Sequence, residues 1–534
     1  MEKKWEKKTD RADRAAREPA PLPAKEEKKI SRVLTGEPVF TEVSEEFTLP
    51  EYEPEIRRIL RVSVRVLPSG RYIGAGKAEF AGSVLYSLLY QGEEGKTADL
   101  PLSSEYHFTA PLADAEKDLR VFAETEAENT VCRPTGPRKV SFRTRLKSRI
   151  EQWDEETFPS VESASGSPEL LTVPAVSCRL TRGTTGEFEI AGEIGLGGAV
   201  PLGCDGTLAV LSAVPGTDTV TVKGELWARI TAERAGRLLT FSKRFPFEET
   251  AELPGVTPAW SCRASARCWS CRADGEEGAD TAYLTAVCEV EIECAENVVS
   301  PVVTDAYLVA APSDTVKQNR NFTPCLFCRS FHVSVSGKKA PEEGVSPDAA
   351  VFTGGEVALS APEVRAAEMV FSGTVNVSAA CPPADGAGAL ASPLRIEIPF
   401  RASAPLLGGA AYTGAPLSGV WKASLSGVTL RPDGGGVSVE AEVDISARVT
   451  EERTLSVVSA VSPGAAGEEA PAAITVCYPR DGDTLWSVAK RFGVPVAALG
   501  AVNGLGESAL ERAAIPESLD GIASLVVVRP GSGR

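Results

Sequence analysis

The sequence predicts a mainly β fold: three tandem β-rich domains of the sandwich or barrel type, followed by a small domain with the order βααβ. Val, Thr, Ala and Gly are abundant and long helical periodicities are scarce, which favours strands. One strand pattern recurs three times, and the C-terminal part of the chain changes to helical periodicity. A chain of 534 residues is long enough for roughly three to five domains with cores of their own.

The charge of the chain limits its partners. The formal net charge is −17, which repels polyanions, so we expect binding neither to nucleic acid nor to an anionic membrane. Residues 1–48 mix both charge signs with Pro and Ala, which predicts a charged, disordered tail, with a short charged helix near Met1 as the alternative. No apolar segment follows Met1 and none approaches the ~18 residues that span a bilayer, so a cytosolic location is expected.

The first landmark of the repeat is a strand in which a glycine is flanked by apolar residues at every second position. Alternation of period two predicts one apolar face, and a glycine inside such a strand predicts a bend or the close approach of another backbone. The three copies are Phe80, Gly82, Val84, Tyr86; Val222, Gly224, Leu226, Ala228; and Phe371, Gly373, Val375, Val377.

Two further landmarks follow each glycine. A short motif ends on a Phe that lies 26, 23 and 27 residues after the glycine, and a long alternating strand follows it. This recurrence predicts three copies of one β-rich fold, at residues 49–155, 172–310 and 345–460. The motifs are Tyr106-His107-Phe108, Phe245-Pro246-Phe247 and Ile398-Pro399-Phe400, and the long strands run from Val140, Leu284 and Val437.

A small domain is predicted at residues 474–530, after a linker at 461–473 in which Ala, Gly, Pro and Glu lack apolar periodicity. A strand at its start precedes the segment DTLWSVAKRFGV, whose apolar residues fall on one helical face. Thr484 or Asp483 is suited to cap that helix and Gly493 to end it. A second helix begins at Pro495, and SLVVVRP supplies the closing strand.

This C-terminal stretch resembles the LysM domain family from Tyr478 through Asn503. The resemblance implies a shallow groove for N-acetylglucosamine polymers, bordered by Gly482, Asp483, Thr484 and Asn503. The same residues are also suited to a purely structural role, because Asp and Thr commonly cap helices, as at Asp483 and Thr484, and Asn503-Gly504 is a typical turn sequence. The family's Pro-Gly-Gln before the last strand is absent, and 22 residues separate Asn503 from Leu525. We therefore expect a rebuilt groove that binds a protein rather than cell-wall glycan.

Trp486, Lys490 and Arg491 lie on the first helix of this domain. An exposed Trp beside cations is typical of a protein-interaction anchor. The alternative is that Trp486 packs over the second helix and the charges are solvated. The predicted partner-binding surface therefore comprises Gly482, Asp483, Thr484, Trp486, Lys490, Arg491, Asn503 and Gly504.

The first repeat, with EYEPEIRRILRVSVRV and GSVLYSLLY, resembles the SPOCS domain of spore-forming Firmicutes. Three such units before a LysM domain are similar to clostridial spore-coat morphogenetic proteins of the SipL type. The resemblance implies a non-enzymatic adaptor in the mother-cell cytoplasm at the forespore surface, whose LysM domain tethers the coat-basement ATPase, with self-association of the β domains. The alternative functions are a peptidoglycan-binding cell-wall protein and, with less support, an enzyme.

Catalytic and metal-binding chemistry has little support in the sequence. His107 and His332 are the two histidines of the chain, which argues against His-based triads and multi-His metal sites. GRYIGAGKAEF lacks the phosphate-binding pattern GxxxxGK[ST]. The pairs Cys268/Cys271 and Cys325/Cys328 have zinc-knuckle spacing, but core thiols and redox sensing are the other interpretations. We expect reduced cysteines, no metal and no cofactor.

Overall fold

The protein is mainly β, as predicted. The computed structural model describes residues 25–74, 76–92, 96–112, 120–161, 168–235, 237–276, 278–309, 311–341, 345–347, 350–381, 392–408, 410–464 and 473–529. Across these ranges the structure has 24 strands. Three short α-helices and one short 3-10 helix lie near the C-terminus, between the last two strands.

The strands fall into three successive groups, here named repeats 1, 2 and 3. Repeat 1 contains β1 Lys25–Thr35, β2 Val39–Thr48, β3 Ile56–Gly74, β4 Lys77–Gly92, β5 Thr97–Pro111, β6 Arg120–Gly136 and β7 Lys139–Val161. Repeat 2 contains β8 Pro168–Gly195, β9 Val200–Pro215, β10 Thr219–Arg234, β11 Arg237–Glu252, β12 Ser261–Asp274 and β13 Thr281–Leu308. Repeat 3 contains β14 Ser313–Phe322, β15 Cys325–Lys339, β16 Val351–Leu359, β17 Glu363–Arg365, β18 Glu368–Cys381, β19 Ser392–Pro405, β20 Leu417–Asp433, β21 Gly436–Glu451 and β22 Arg453–Pro463.

Each repeat pairs its strands in the same order, in two antiparallel sheets. One sheet has the order β3-β4-β5, β9-β10-β11 or β16-β18-β19, and the other has the order β2-β7-β6, β8-β13-β12 or β15-β21-β20. The two sheets of repeat 2 enclose an apolar core, and so do those of repeat 3. The alternating sequence produces this arrangement because one face of each sheet is apolar.

A third element of each repeat is a two-stranded ribbon that joins the repeats. It is formed by β1 with the end of β7, by the start of β8 with the end of β13, and by β14 with β22. The six ribbon strands each contribute one residue to a common buried cluster, which contains Ile30, Phe158, Ala175, Val302, Phe322 and Val457. Hydrophobic packing therefore holds the three repeats together.

Strands lie N-terminal to the boundaries that the sequence predicted for the first and third repeats. Residues 25–48, predicted as part of a disordered tail, form β1 and β2, and residues 313–339, placed between the second and third domains, form β14 and β15. Each of these strands pairs with the last strands of its repeat, so its partner is remote in sequence: Lys25 lies opposite Val161. Residues 1–24 and most of the linker 461–473 lie outside the described residues.

The three landmark glycines perform the predicted role of close approach. A Cβ on Gly224 would lie 2.2 Å from the backbone oxygen of Ala209 and 2.5 Å from the ring of Phe247. Gly373 stands in the same relation to Ala358 and Phe400, so an aromatic ring of the neighbouring strand covers each glycine. In repeats 2 and 3 the covering ring is the last Phe of the short motif, whereas in repeat 1 it is Tyr106, because Gly82 pairs with Tyr106.

A buried charge cluster lies where the three repeats meet. Glu151, Glu293 and Arg448 are each the thirteenth residue of the long strands β7, β13 and β21. Arg448 forms ion pairs of 2.5 Å with Glu151 and with Glu293, and Arg263 pairs with Glu293 at 3.0 Å. The pKa of Glu293 is lowered, because the attraction of Arg263 and Arg448 outweighs the burial that would raise it.

The cysteines differ from the expectation of fully reduced thiols. Cys262 and Cys294, which lie opposite each other on β12 and β13, form a disulfide. Both cysteines are buried. The sequence pattern does not reveal the pairing, because 32 residues separate the two cysteines and the register of the hairpin decides which side chains meet.

The C-terminal domain has the predicted βααβ order with two added turns of helix. It contains β23 Ile474–Cys477, α1 Leu485–Phe492, α2 Val496–Val502, α3 Glu507–Glu511, the 3-10 helix Pro516–Leu519 and β24 Leu525–Val528. β23 and β24 pair antiparallel. Within the described ranges no single helix is long and apolar enough to cross a membrane, and α1 and α2, which meet the length criterion only as a pair, are bent by 105°.

Candidate ligand-binding surface of the C-terminal domain

The loop before α1 is fixed by a reciprocal cap. The Thr484 side chain accepts a hydrogen bond from the Ser487 backbone N–H, and the Ser487 hydroxyl bonds to the Thr484 backbone, each over 2.9 Å. Gly493 ends the helix in the left-handed conformation, with φ of 64°. Thr484 is therefore the capping residue, as one of the two sequence interpretations predicted.

Asp483 stabilises the loop rather than the helix end. Its carboxylate accepts from the Arg480 backbone N–H over 2.9 Å and forms an ion pair with Arg491. These donors lower the pKa of Asp483, with the backbone N–H of Arg480 as the largest cause. Gly482 permits the turn, because its φ of 83° is unfavourable for residues with a side chain. Asp483 thus fixes the loop to the last turn of α1 through Arg491.

Asn503 joins α2 to the last strand. Its amide donates to the backbone oxygens of Leu499 and Val526, each over 2.8 Å, and its side-chain oxygen accepts from the Val526 N–H over 2.7 Å. Gly504 continues the turn with φ of 67°. Asn503 and Gly504 therefore form a turn, as one of the two sequence interpretations predicted. Asn503 makes three hydrogen bonds within the domain.

The segment that replaces the family's usual sequence before the last strand packs against the start of α1. The Trp486 backbone N–H donates to the Ala513 oxygen over 2.7 Å, and the Leu485 N–H donates to the Ser518 hydroxyl over 3.2 Å. Both acceptors satisfy donors that a helix start leaves free. These contacts fix the segment against the start of α1, and the rebuilt groove expected from the sequence stays a prediction.

Trp486 is buried and Lys490 is paired with repeat 2, which corrects the prediction that both belong to an exposed partner-binding surface. The Trp486 ring is only 7% exposed, its Nε1–H donates to Asp305 of β13 over 2.8 Å, and its ring meets Tyr307 edge-on at 5.1 Å between centroids. Lys490 forms an ion pair with Asp305 at 2.7 Å. These side chains face repeat 2 because a carboxylate and an aromatic ring there complement an indole and an ammonium group.

Asp305 and Tyr307 of β13 contact the C-terminal domain, and the sequence analysis did not single them out. The Tyr307 hydroxyl donates to the Val494 oxygen over 2.7 Å and its ring belongs to the apolar core of the C-terminal domain. Burial acts to raise the pKa of Asp305, but hydrogen bonds from Lys490, Trp486 and Lys317 outweigh it and the pKa is lowered. A break in the alternation directly precedes Asp305, where the register of β13 against β8 shifts between Val303 and Asp305, but this break does not indicate which domain the two side chains contact.

Two of the exposed surfaces of the domain bear on ligand binding. One consists of the loop at 480–482 and the facing segment at 514–517, where Ile515 is 41% exposed. The other is the outer face of the two-stranded sheet, which carries apolar residues only. Their exposed fractions are Ile474 65%, Val476 51%, Val526 37% and Val528 43%, and Tyr478, which follows β23, is 72% exposed.

The described residues contain no group of three or more His, Cys, Asp and Glu side chains arranged to hold a metal ion. His332 lies between Asp444 and Glu442, at 2.9 and 2.6 Å. Its pKa is raised, chiefly by the hydrogen bond to Asp444. His107 is exposed on β5. The two histidines therefore lie in different repeats and share no site.

Comparison with known proteins identifies one part of the chain. Residues 480–511, from the loop before α1 to the end of α3, match the family model of the LysM domain. No curated protein and no solved structure matches the chain. The SPOCS resemblance of repeat 1 stays a prediction. The chain thus carries a LysM domain near its C-terminus, and this domain indicates binding of peptidoglycan or another carbohydrate.

Proposed function

We propose that the chain is a non-enzymatic scaffold that binds an N-acetylglucosamine polymer, peptidoglycan above all, through its LysM domain. The observation that carries the proposal is the LysM match at 480–511, together with the exposure of the two segments that border the groove implied by that family. A scaffold role is supported by the shared packing of the three repeats, which gives the LysM domain a firm base.

The contacts of α1 decide which side of the LysM domain is available to a ligand. Trp486 and Lys490 are engaged by Asp305 of repeat 2. The loop at 480–482 and the segment at 514–517 are exposed, so a ligand meets these two segments first. Their backbone groups and charged side chains suit sugar hydroxyl and acetamido groups, and the exposed Ile515 side chain suits the apolar face of a pyranose ring.

Binding of defined sugars to the full chain tests the proposal. We expect calorimetric binding of chitohexaose and cosedimentation with insoluble peptidoglycan. Ile515→Glu should weaken both at least tenfold, or about 1.4 kcal/mol, because it places a charge against the sugar ring. Ala498→Glu is the matched control, since Ala498 is exposed on α2. Absence of sugar binding by the unaltered chain, or equal losses in both variants, would refute the proposal.

A second candidate is the mother-cell adaptor that tethers the coat-basement ATPase to the forespore surface. The exposed apolar face of β23 and β24 favours it, because contiguous exposed apolar residues are typical of protein-interaction sites. The resemblance of repeat 1 to the SPOCS domain supports the same function. In this hypothesis the ATPase covers the apolar face, and the groove beside the loop at 480–484 plays no part.

The two candidates respond to different substitutions. Val476→Lys with Val526→Lys places two charges on the outer face of the sheet, where these residues lie opposite each other. The adaptor hypothesis predicts lost capture of the purified ATPase and lost fluorescence of a tagged copy around the forespore, with unchanged chitohexaose binding. If the double variant still captures the ATPase, or if the unaltered chain does not, the adaptor hypothesis fails.

A further inference from the structure

Two thiols of repeat 2 lie in contact across its two sheets. The sulfur atoms of Cys204 on β9 and Cys271 on β12 are 3.0 Å apart. A disulfide bond has a length of about 2.05 Å, so a small side-chain adjustment brings the two atoms to bonding distance. The established disulfide, Cys262–Cys294, joins neighbouring strands of one sheet and leaves the two sheets of the repeat unlinked.

The backbone is built for this approach. Gly206 lies two residues after Cys204 on β9, and a Cβ at Gly206 would lie 2.9 Å from the Cys268 sulfur and 3.2 Å from the Cys271 Cβ. The absence of a side chain therefore allows β9 to lie directly on β12. The close packing of the two sheets fixes the sulfur atoms next to each other without help from a flexible loop.

Accessibility separates this pair from the other thiols nearby. Cys204 and Cys271 are each partly exposed, whereas Cys268, Cys288, Cys178 and Cys325 are buried. A small oxidant can reach a partly exposed sulfur, and thiol–disulfide exchange requires such access. Cys268 and Cys288 belong to the same apolar core as the pair, but being buried they offer no such route for a reagent in the folded protein.

We infer that Cys204 and Cys271 form a redox-sensitive dithiol, which a small disulfide such as oxidised glutathione converts into a bond between the two sheets of repeat 2. One of the two cysteines, as its thiolate, attacks a glutathione sulfur, releases one glutathione and forms a mixed disulfide. The other cysteine attacks the protein sulfur of that mixed disulfide and releases the second glutathione. The protein loses two protons and two electrons, and one oxidised glutathione becomes two reduced molecules.

Mass spectrometry of the full chain tests the inference. The protein is fully reduced, then incubated with oxidised glutathione, blocked with iodoacetamide and digested without reductant. We expect a peptide pair linked through Cys204 and Cys271 beside the pair linked through Cys262 and Cys294. Recovery of both Cys204 and Cys271 in alkylated form, or of Cys271 linked to Cys268 instead, would overturn the inference.

Variants and stability measurements complete the test. Cys204→Ser should abolish the new link and leave Cys271 alkylated or glutathionylated, while Cys132→Ser, which alters another partly exposed thiol, should leave the link intact. The oxidised wild-type protein should also melt at a higher temperature than the same protein with only the Cys262–Cys294 bond, because the new link spans 67 residues. Equal melting temperatures would contradict an inter-sheet link. Because both samples are the wild-type chain, this comparison does not depend on the folding of a variant.

Discussion

The Nε atom of Arg448 lies 2.5 Å from the Oε1 atom of Glu293, and the two residues hold the same position in two different repeats. The equivalent residue of the remaining repeat is Glu151, which binds the other end of the same guanidinium group. Three equivalent positions thus converge on one buried ion cluster, and they can do so only because one repeat carries Arg where the others carry Glu. The repeats are alike in fold but are not interchangeable.

Removal of Arg448 should strongly destabilise the protein. Arg448→Met leaves Glu151 and Glu293 buried without their shared cation, and breaking a buried ion pair costs ~3–5 kcal/mol. We expect this loss in the free energy of unfolding measured by urea denaturation. Arg431→Met is the control, because the pair of Arg431 with Glu440 is mostly exposed and should change the free energy by less than about 0.5 kcal/mol. Similar losses in both variants would contradict the structural importance of the cluster.

The landmark glycines give a second prediction. In Gly224→Ala the new Cβ would meet the backbone oxygen of Ala209 at 2.2 Å, so β9 or β10 must shift. We expect a loss of ~1–3 kcal/mol, typical of overpacking, in the free energy of unfolding. Gly354→Ala, where a Cβ meets nothing within 4 Å, should be neutral or slightly stabilising. A neutral Gly224→Ala would show that the strands are free to separate.

The glycine pattern was predictable from the sequence because it depends on short-range alternation and on spacing within one repeat. The ring that covers Gly82 was not predictable in this way, because Tyr106 and Phe108 lie on the same face of β5, with ring centroids 6.4 Å apart. Sequence spacing alone does not show which of two aromatic residues on one face covers the glycine, because the register of the hairpin decides it. The missed strands β1 and β14 have partners remote in sequence, so no local pattern marked them.

In the LysM domain, too, contacts between residues close in sequence were predictable and contacts between remote residues were not. Capping by Thr484 and the turn at Asn503 follow from residues within a few positions of each other, and the sequence contained them. The environment of Trp486 depends on Asp305, which lies 181 residues away. A helical pattern identifies the residues that face the domain's own core, but it does not show that another domain packs against the helix. Trp486 therefore looked like an exposed anchor although it packs against repeat 2.

His332 should make the stability of repeat 3 depend on pH. Its folded pKa is raised by Asp444 and Glu442, so its contribution is fully present below the unfolded pKa, near 6.5, and is lost as the pH rises through the higher folded pKa. His332→Gln should therefore lower the melting temperature more at pH 5.5 than at pH 9. The expected cost at the lower pH is about 1–2 kcal/mol, as for hydrogen bonds to charged groups. His107→Gln serves as the control, because His107 is exposed on β5. Equal effects of His332→Gln at both pH values would contradict the prediction.

Docking of the LysM domain on repeat 2 should depend on Asp305. Asp305→Ala removes the acceptor of Trp486 and the anion paired with Lys490 and Lys317, so α1 should open more often. We expect hydrogen exchange at residues 485–494 to accelerate about tenfold or more, equivalent to about 1.4 kcal/mol. The exposed loop variant Asp481→Ala should leave that exchange unchanged.

The pH dependence of the same contact provides an independent check. The folded pKa of Asp305 is lowered, so its contribution to docking is present above its unfolded value, near 3.8, and is lost as the pH falls through the lower folded pKa. In the unaltered chain, the protection of α1, corrected for intrinsic exchange, should be constant from pH 7 to about pH 5 and fall in stronger acid. In Asp305→Ala it should already be low at pH 7 and show no further loss from this group. If α1 exchanges at the same corrected rate in both proteins at pH 7, the Asp305 contacts do not hold the LysM domain on repeat 2.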